Sequence, residues 1–365
     1  MDERRLRIAV IGTSWWSEGF YLPSLRSHPR ADVLALCGRN RARAEALAAR
    51  FGIPAVWTDA TALFRAGELD AVIIATPDDT HHALANAALD AGLHTLCEKP
   101  LALDVGQAAG MVAKARATGR NHMVLFTNRW YPHIRHLRAL LASGGIGRVR
   151  HAEFVHHSNF GLRPGYAWRF DAARANGVLA DLGAHWIDLA RWLVGEIDSV
   201  EARLQASVPR RDPDGNPIRA ANDIAALQLG FAGGASGQIA LSAATPLPPG
   251  MALHRIMLAG ERGSLLFTAR WGEGDPVLRI EGALDGDPTW REWPIPEALW
   301  AGVADRNPGS VFRVQSAGPR QFVDDCLAGI ASTPDFADGL AAQRVIDAAL
   351  AADRLGLRMT LAPLP

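Results

Sequence analysis

Lys99 stands between Glu98 and Pro100 at the end of an apolar stretch, a setting suited to proton chemistry. A half-buried amine has a lowered pKa and can donate to a substrate hydroxyl or share a proton with it. The bond before a proline is cis in about 5% of folded cases, and such turns hold side chains in unusual directions. Read alone, the lysine would be a surface residue. A second run, Thr76-Pro77-Asp78-Asp79-Thr80-His81, lies shortly upstream. A third, Gly177 to Asp188, places Asp181, His185 and Asp188 at i, i+4 and i+7, on one helical face. A histidine in a first helical turn feels the positive dipole end and stays neutral, as a general base must. A nearby aspartate could fix its tautomer. The alternative is that Asp181 only caps the helix and His185 packs in the core.

Elements that could position these groups follow from the pattern. From Leu6 to Phe126, apolar runs at Leu6–Ile11, Val33–Cys37, Ala71–Ala75, Thr95–Cys97 and His122–Phe126 alternate with alanine-rich helical stretches. Buried strands alternating with helices predict βαβ units and a parallel sheet, an α/β domain over residues 1–126. The Thr76 and Lys99 runs then sit at carboxyl ends of strands, where an open α/β sheet binds its ligand. Residues 127–365 read differently: a helix, a strand at Val149–His157, a helix at Ala184–Val194, then strands at Ser199–Val208, Ile224–Phe231, Ala235–Ala243, His254–Ala259 and Ser264–Thr268 without helices between them. Unbroken strand succession predicts an α+β domain with a large, mostly antiparallel sheet.

The first strand runs into Gly12-Thr13-Ser14-Trp15-Trp16-Ser17, where a dinucleotide fingerprint has glycine at positions 12, 14 and 17. Only Gly12 is glycine here, so an ordinary strand-to-helix turn is the competing reading. The second strand ends Gly38-Arg39-Asn40-Arg41, with no acid to hold a ribose 2′-hydroxyl. Arg39, with Asn40 beside it, offers donors to a 2′-phosphate instead, which favours NADP(H) over NAD(H). The competing reading is the start of a solvated helix.

Composition narrows the class. The chain has 365 residues and 48% hydrophobic content, enough for two cores. Lys plus Arg and Asp plus Glu are 38 each, so no net field draws nucleic acid or an anionic membrane, and a small-molecule partner is expected. Cys37, Cys97 and Cys326 are widely spaced and suit reduced, buried thiols. With no signal-like or membrane-spanning stretch, a soluble cytoplasmic protein is expected.

Together, Thr76-Pro77 with His81, Glu98-Lys99-Pro100, and Gly177 through Asp181, Gly183 and His185 to Asp188 resemble the Gfo/Idh/MocA oxidoreductases over essentially the whole chain. The resemblance implies a Rossmann domain followed by an open-faced sheet domain, with substrate and nicotinamide meeting in the cleft between them. It implies NAD(P)-dependent oxidation or reduction at one carbinol carbon of a sugar, cyclitol or related polyol. By the same resemblance Lys99 hydrogen-bonds the reacting oxygen, His185 is the general acid/base, and Asp181 assists it or grips a neighbouring hydroxyl. Thr76, Pro77, His81 and Glu98 line the nicotinamide and its ribose. The loop departs from the family pattern, and bulky Trp15 and Trp16 could alter how the cofactor sits.

Substrate contacts are expected from Arg129, Tyr166, Trp168 and Arg169, since polyol sites combine aromatic faces with a few polar donors. The pairs His81-His82 and His156-His157 lack the partners of a metal site, so no metal is expected. Apolar alternation across Ser199–Phe231 predicts an exposed sheet face that pairs with another subunit, hence a homo-oligomer, dimer or tetramer. Two other functions use the same residues in part: redox-assisted glycoside cleavage, and dinucleotide sensing by a non-catalytic regulator.

Overall fold

Short, wholly buried runs such as Ile8-Ala9-Val10 and Ala71-Val72-Ile73-Ile74 leave no face for water, so they pair as interior strands of a parallel sheet. The structure, a computed structural model, describes residues 4–163, 165–271, 277–301, 306 and 317–363. It divides into unit 1, Met1–Trp130 with Gly302–Gln343, and unit 2, Tyr131–Ala301 with Arg344–Pro365. A single boundary at 126/127 does not describe that division, because the chain contributes to unit 1 a second time.

Unit 1 holds β1 (Leu6–Ile11), β2 (Ala31–Cys37), β3 (Ala55–Trp57), β4 (Ala71–Ile74), β5 (His94–Cys97) and β6 (His122–Val124). They form one parallel sheet in the order β3-β2-β1-β4-β5-β6. This is the doubly wound arrangement, whose order reverses between β1 and β4. Helices Arg41–Phe51, His81–Asp90 and Val105–Thr118 follow β2, β4 and β5. The late helix Ala317–Ala328 completes the core, burying Phe322 and Val323 with Leu25, Leu125 and Trp130. After β1 the chain is helical from Trp15 to Arg26, with a π turn at Ser17–Tyr21 in which the Leu22 N–H donates to the Ser17 carbonyl.

Unit 2 holds β7 (Val149–Ser158), β8 (Ile197–Gln205), β9 (Ile224–Phe231), β10 (Ser236–Ser242), β11 (Ala252–Gly260), β12 (Ser264–Trp271), β13 (Val277–Ala283), β14 (Arg291–Glu292) and β15 (Met359–Thr360). Their order is β14-β13-β12-β11-β7-β10-β9-β8-β15, antiparallel except for the β7–β10 pair. That pair is parallel because helices Gly177–Asp181 and Gly183–Leu193 form the crossover before β8.

The face of β7, β10 and β11 that carries Phe154, His156, Leu241 and His254 lies under the helix Gly183–Leu193, whose Trp186 packs on His156 and His254. The expected apolar open face is not found over β8 and β9. Val200, Leu227 and Leu229 are buried, while Glu201, Arg203 and Gln228 take the opposite, exposed positions. The period of two in that stretch therefore reports burial within unit 2. No helix among the described residues is long and apolar enough to cross a membrane.

Candidate active site

Unit 1 gathers its chemistry-bearing residues at the carboxyl ends of β1, β2, β4 and β5. Gly12 leaves β1 at φ 117°, and its N–H donates to the Cys37 carbonyl at 2.8 Å. A Cβ there would stand 2.2 Å from the carbonyl oxygen of Ala75, so only glycine lets the loop cross β4 this closely. Gly38 serves the same end, since its Cβ would meet Thr13 Cγ2 at 2.5 Å. Among the described residues the amides of Thr13 and Ser14 donate to no acceptor, and Ser14 is exposed. Open N–H groups at a strand-to-helix turn, with no Cβ at Gly12 in the way, fit the pyrophosphate of a dinucleotide.

At the end of β2 the polar side chains divide. Asn40 caps its helix, with Oδ1 accepting from the Arg43 amide at 3.0 Å, which fixes the side chain while leaving its Nδ2 donors uncommitted among the described residues. Arg41 lies 3.6 Å from Glu45, and Arg43 donates to the Thr13 carbonyl and pairs with Glu18 at 3.2 Å. Arg39 is exposed and forms no ion pair among the described residues.

His81 has no exposed surface, so it does not line an open pocket as expected. Its Nε2 lies 2.9 Å from the Thr76 carbonyl and its Nδ1 2.8 Å from the Pro100 carbonyl, tying the turn after β4 to the turn after β5. Burial pushes its pKa down, opposed by those two carbonyls. Thr76 and Pro77 frame the same turn, where the Thr80 hydroxyl lies 2.7 Å from both Thr76 Oγ1 and the Pro77 carbonyl. The Lys99-Pro100 bond is cis. Lys99 is half-buried, as its flanking residues suggested.

Glu98 is only 7% exposed. Its Oε1 accepts from the Trp16 indole N–H at 2.6 Å and from the Tyr21 hydroxyl at 2.7 Å, and its Oε2 from the Lys99 amide at 3.1 Å. Burial raises its pKa, opposed by Lys99, Tyr21 and Trp16 in that order. Trp16 is thus committed to Glu98 and to a stacked contact with Phe20 at 5.0 Å, whereas Trp15 is 60% exposed beside it. Arg129, expected at substrate, is instead paired with Asp338 at 3.0 Å.

In unit 2 the stretch expected as one helix is two. Gly177–Asp181 ends, and Gly183–Leu193 begins after Leu182, so Asp181 and His185 do not share one continuous helical face. The first helix starts at Gly177, φ 66°, against Asn222, whose carbonyl accepts from Val178 at 2.8 Å and whose Oδ1 accepts from Leu179 at 2.9 Å. Those two bonds replace a local cap. Asp188 is fully buried.

Asp181 faces Arg169, with Oδ2 3.1 Å from Nε. The N–H does not aim at that oxygen, so the contact is an ion pair rather than a linear hydrogen bond. The Arg169 guanidinium also lies 5.1 Å from the ring centre of Trp168, which joins two expected substrate residues to Asp181. Tyr166 is directed elsewhere, its hydroxyl donating to Asp171 at 3.2 Å. Behind His185, the Trp186 indole donates to His156 Nδ1 at 3.1 Å, which places the neutral ring's proton on Nε2. His156 and His254 pack at 4.1 Å between ring centres. Burial holds His156 well below its usual pKa, with His254, His185 and His157 adding to the effect.

Sequence reasoning missed Tyr21, Asn222 and His254, and weighed His156 as one of an adjacent pair with His157. One overlooked signal points at Lys99: it and Lys114 are the only lysines among 38 basic residues. A chain that uses arginine almost everywhere keeps an amine at position 99, where a group able to give up its proton differs from one that cannot.

Residues 6–126 match the family model described as "Oxidoreductase family, NAD-binding Rossmann fold", and residues 134–266 match "GFO/IDH/MocA C-terminal domain". A D-apiose dehydrogenase of Paraburkholderia graminis is 31% identical over 301 residues, 82% of this chain and 76% of the relative. An oxidoreductase domain protein from Kribbella flavida superposes with TM-score 0.83 at 29% identity, over 99% of this chain and 100% of that one. A levoglucosan dehydrogenase in complex with NADH and levoglucosan superposes with TM-score 0.86 at 24% identity, over 98% of this chain and 99% of that one, a likeness of fold.

Proposed function

The chain belongs to the Gfo/Idh/MocA oxidoreductase family, and from that premise we propose that it is a nicotinamide-dependent dehydrogenase acting on one CH–OH carbon of a sugar, cyclitol or related polyol. The observation that carries this reading is the half-buried Lys99 on a turn held by Glu98 and His81, at the carboxyl end of β5 in a doubly wound sheet.

Gly12, Thr13 and Ser14 would hold the pyrophosphate, and the turns at Thr76-Pro77 and Glu98-Lys99 the nicotinamide ribose. Bound NAD(P)⁺ supplies the hydride acceptor. In the oxidising direction His185 takes the hydroxyl proton, and Lys99 donates to the oxygen as it gains negative character. Asp181 orients Arg169 toward a neighbouring hydroxyl, and Trp168 offers a sugar an apolar face. The free Arg39 favours NADP(H), since a guanidinium and a phosphate pair as planar fork and dianion.

The test is direct. Dinucleotide released from purified protein by mild denaturation is identified by mass spectrometry. A panel of sugars and cyclitols is then followed in both directions by nicotinamide absorbance. Absence of dinucleotide binding, together with no absorbance change on any polyol, would sink the reading.

A further inference from the structure

Trp16 and Tyr21 are five residues apart, which on an α-helix of 3.6 residues per turn would set them roughly 140° apart. The π turn at Ser17–Tyr21 widens the helix there and brings both to one side. Both then donate to the same oxygen of Glu98, Trp16 at 2.6 Å and Tyr21 at 2.7 Å, while the other oxygen takes the Lys99 amide at 3.1 Å. The helix that carries the clamp continues directly from the loop Gly12–Ser14, so a short path of chain and hydrogen bonds joins that loop to the lysine.

Plain satisfaction of a buried carboxyl does not explain the arrangement, because a buried carboxyl beside an apolar helix could simply be absent. Titratable groups acting on Glu98 or on its neighbours are Lys99, Tyr21, Cys97, Asp78 and His81. Of these, only Lys99 brings a positive side chain against Glu98. We propose that Trp16 and Tyr21 are positioning residues for Lys99, fixing the Glu98 carboxylate that holds the lysine's backbone and opposes its charge. This rests on the reading of Lys99 as the group at the reacting oxygen.

Tyr21→Phe and Trp16→Phe each remove one donor and keep the ring. Each is expected to lower kcat about tenfold, the worth of a hydrogen bond to a charged acceptor, and to displace the pH profile of kcat. For Tyr21→Phe, dinucleotide Kd stays within about twofold, since the lost bond acts on turnover rather than on ground-state binding. Neither substitution adds to Glu98→Gln, because all three act through one carboxylate.

A second readout does not need turnover. Reductive ¹³C-methylation labels Lys99, Lys114 and the α-amine only, and Lys99→Met and Lys114→Arg assign the signals. In Glu98→Gln and Tyr21→Phe the Lys99 signal should titrate at lower pH than in the wild type. Lys114, held by Asp90 at 2.7 Å, should stay in place. A Lys99 titration and a kcat profile both unmoved by Tyr21→Phe, with only thermal stability changed, would overturn the proposal. If the wild type oxidises no polyol, the functional reading fails, and the lysine titration still decides on the clamp.

Discussion

Nε of Arg169 stands 3.1 Å from Oδ2 of Asp181, an ion pair joining the turn Trp168–Phe170 to the end of the helix Gly177–Asp181. Asp181 therefore has a cation to hold, a partner that the spacing from Asp181 to His185 did not anticipate.

Asp181→Asn should release Arg169 and raise KM for the polyol as well as lower kcat. A fall of about 10- to 100-fold in kcat/KM is expected, as for loss of a charge-assisted contact at substrate. Both side chains are partly exposed, so their coupling in a cycle with Arg169→Gln should be modest, about 0.5–1 kcal/mol. Steady-state kinetics of the two single variants and the double variant measure it. Strictly additive losses would contradict the pairing.

Lys99→Met should abolish turnover while dinucleotide binding, read by calorimetry, stays near the wild-type value. Lys99→Arg should fail almost as completely, because a guanidinium keeps its charge but cannot share its proton. Wild-type turnover by either variant would remove Lys99 from the reacting oxygen.

Arg39→Ala tests the cofactor. If the guanidinium meets a 2′-phosphate, the ratio of kcat/KM for NADP to that for NAD should fall about 10- to 100-fold. A ratio that does not move would remove Arg39 from contact with a 2′-phosphate.

Gly12→Ala combines a φ of 117° with a Cβ 2.2 Å from the Ala75 carbonyl oxygen. Destabilisation beyond about 1 kcal/mol is expected, with loss of dinucleotide affinity as the loop shifts. A denaturant midpoint equal to that of the wild type would show that the loop tolerates the methyl group.

Acid should unfold unit 2 through its histidines. Burial, with His254 close by, pushes His133 down to about 3, and burial alone pushes His254 to about 3. Both are neutral when folded and take up a proton on unfolding below about pH 6.5. Their contribution to stability is complete above that value and is lost as pH falls toward 3, about 1.4 kcal/mol per pH unit per histidine. His133→Phe, which can keep the stacked contact with Phe267 at 4.6 Å, should flatten the decline in denaturant melts between pH 6 and 4. An unchanged slope would refute the assignment.

How far the residues announce all this depends on where their partners lie. β1 and β9 occur where the apolar pattern places them, and the other expected strands shift by a few residues, because buried strands leave long hydrophobic runs. β3 and β14 are too short and too exposed to leave one. Glu98, Lys99 and Pro100 are legible as neighbours. Tyr21 is not, since a spacing of five matches neither helical nor strand periodicity and its partner is 77 residues away. Asn222 reaches the helix at Gly177–Asp181 from 43 residues beyond Leu179, and nothing local anticipates it. The break at Leu182 did leave a local signal, since Asp181 and Gly183 on either side of it are both poor helix formers.

Unit 1 takes its last helix, Ala317–Ala328, from far along the chain, and Ser332 returns to bond Asn121 at 2.8 Å. During synthesis the six-stranded sheet is therefore made long before the cover for Leu25, Leu125 and Trp130 leaves the ribosome. Between the sheet and that helix the segment Tyr131–Ala301 of the other unit is translated.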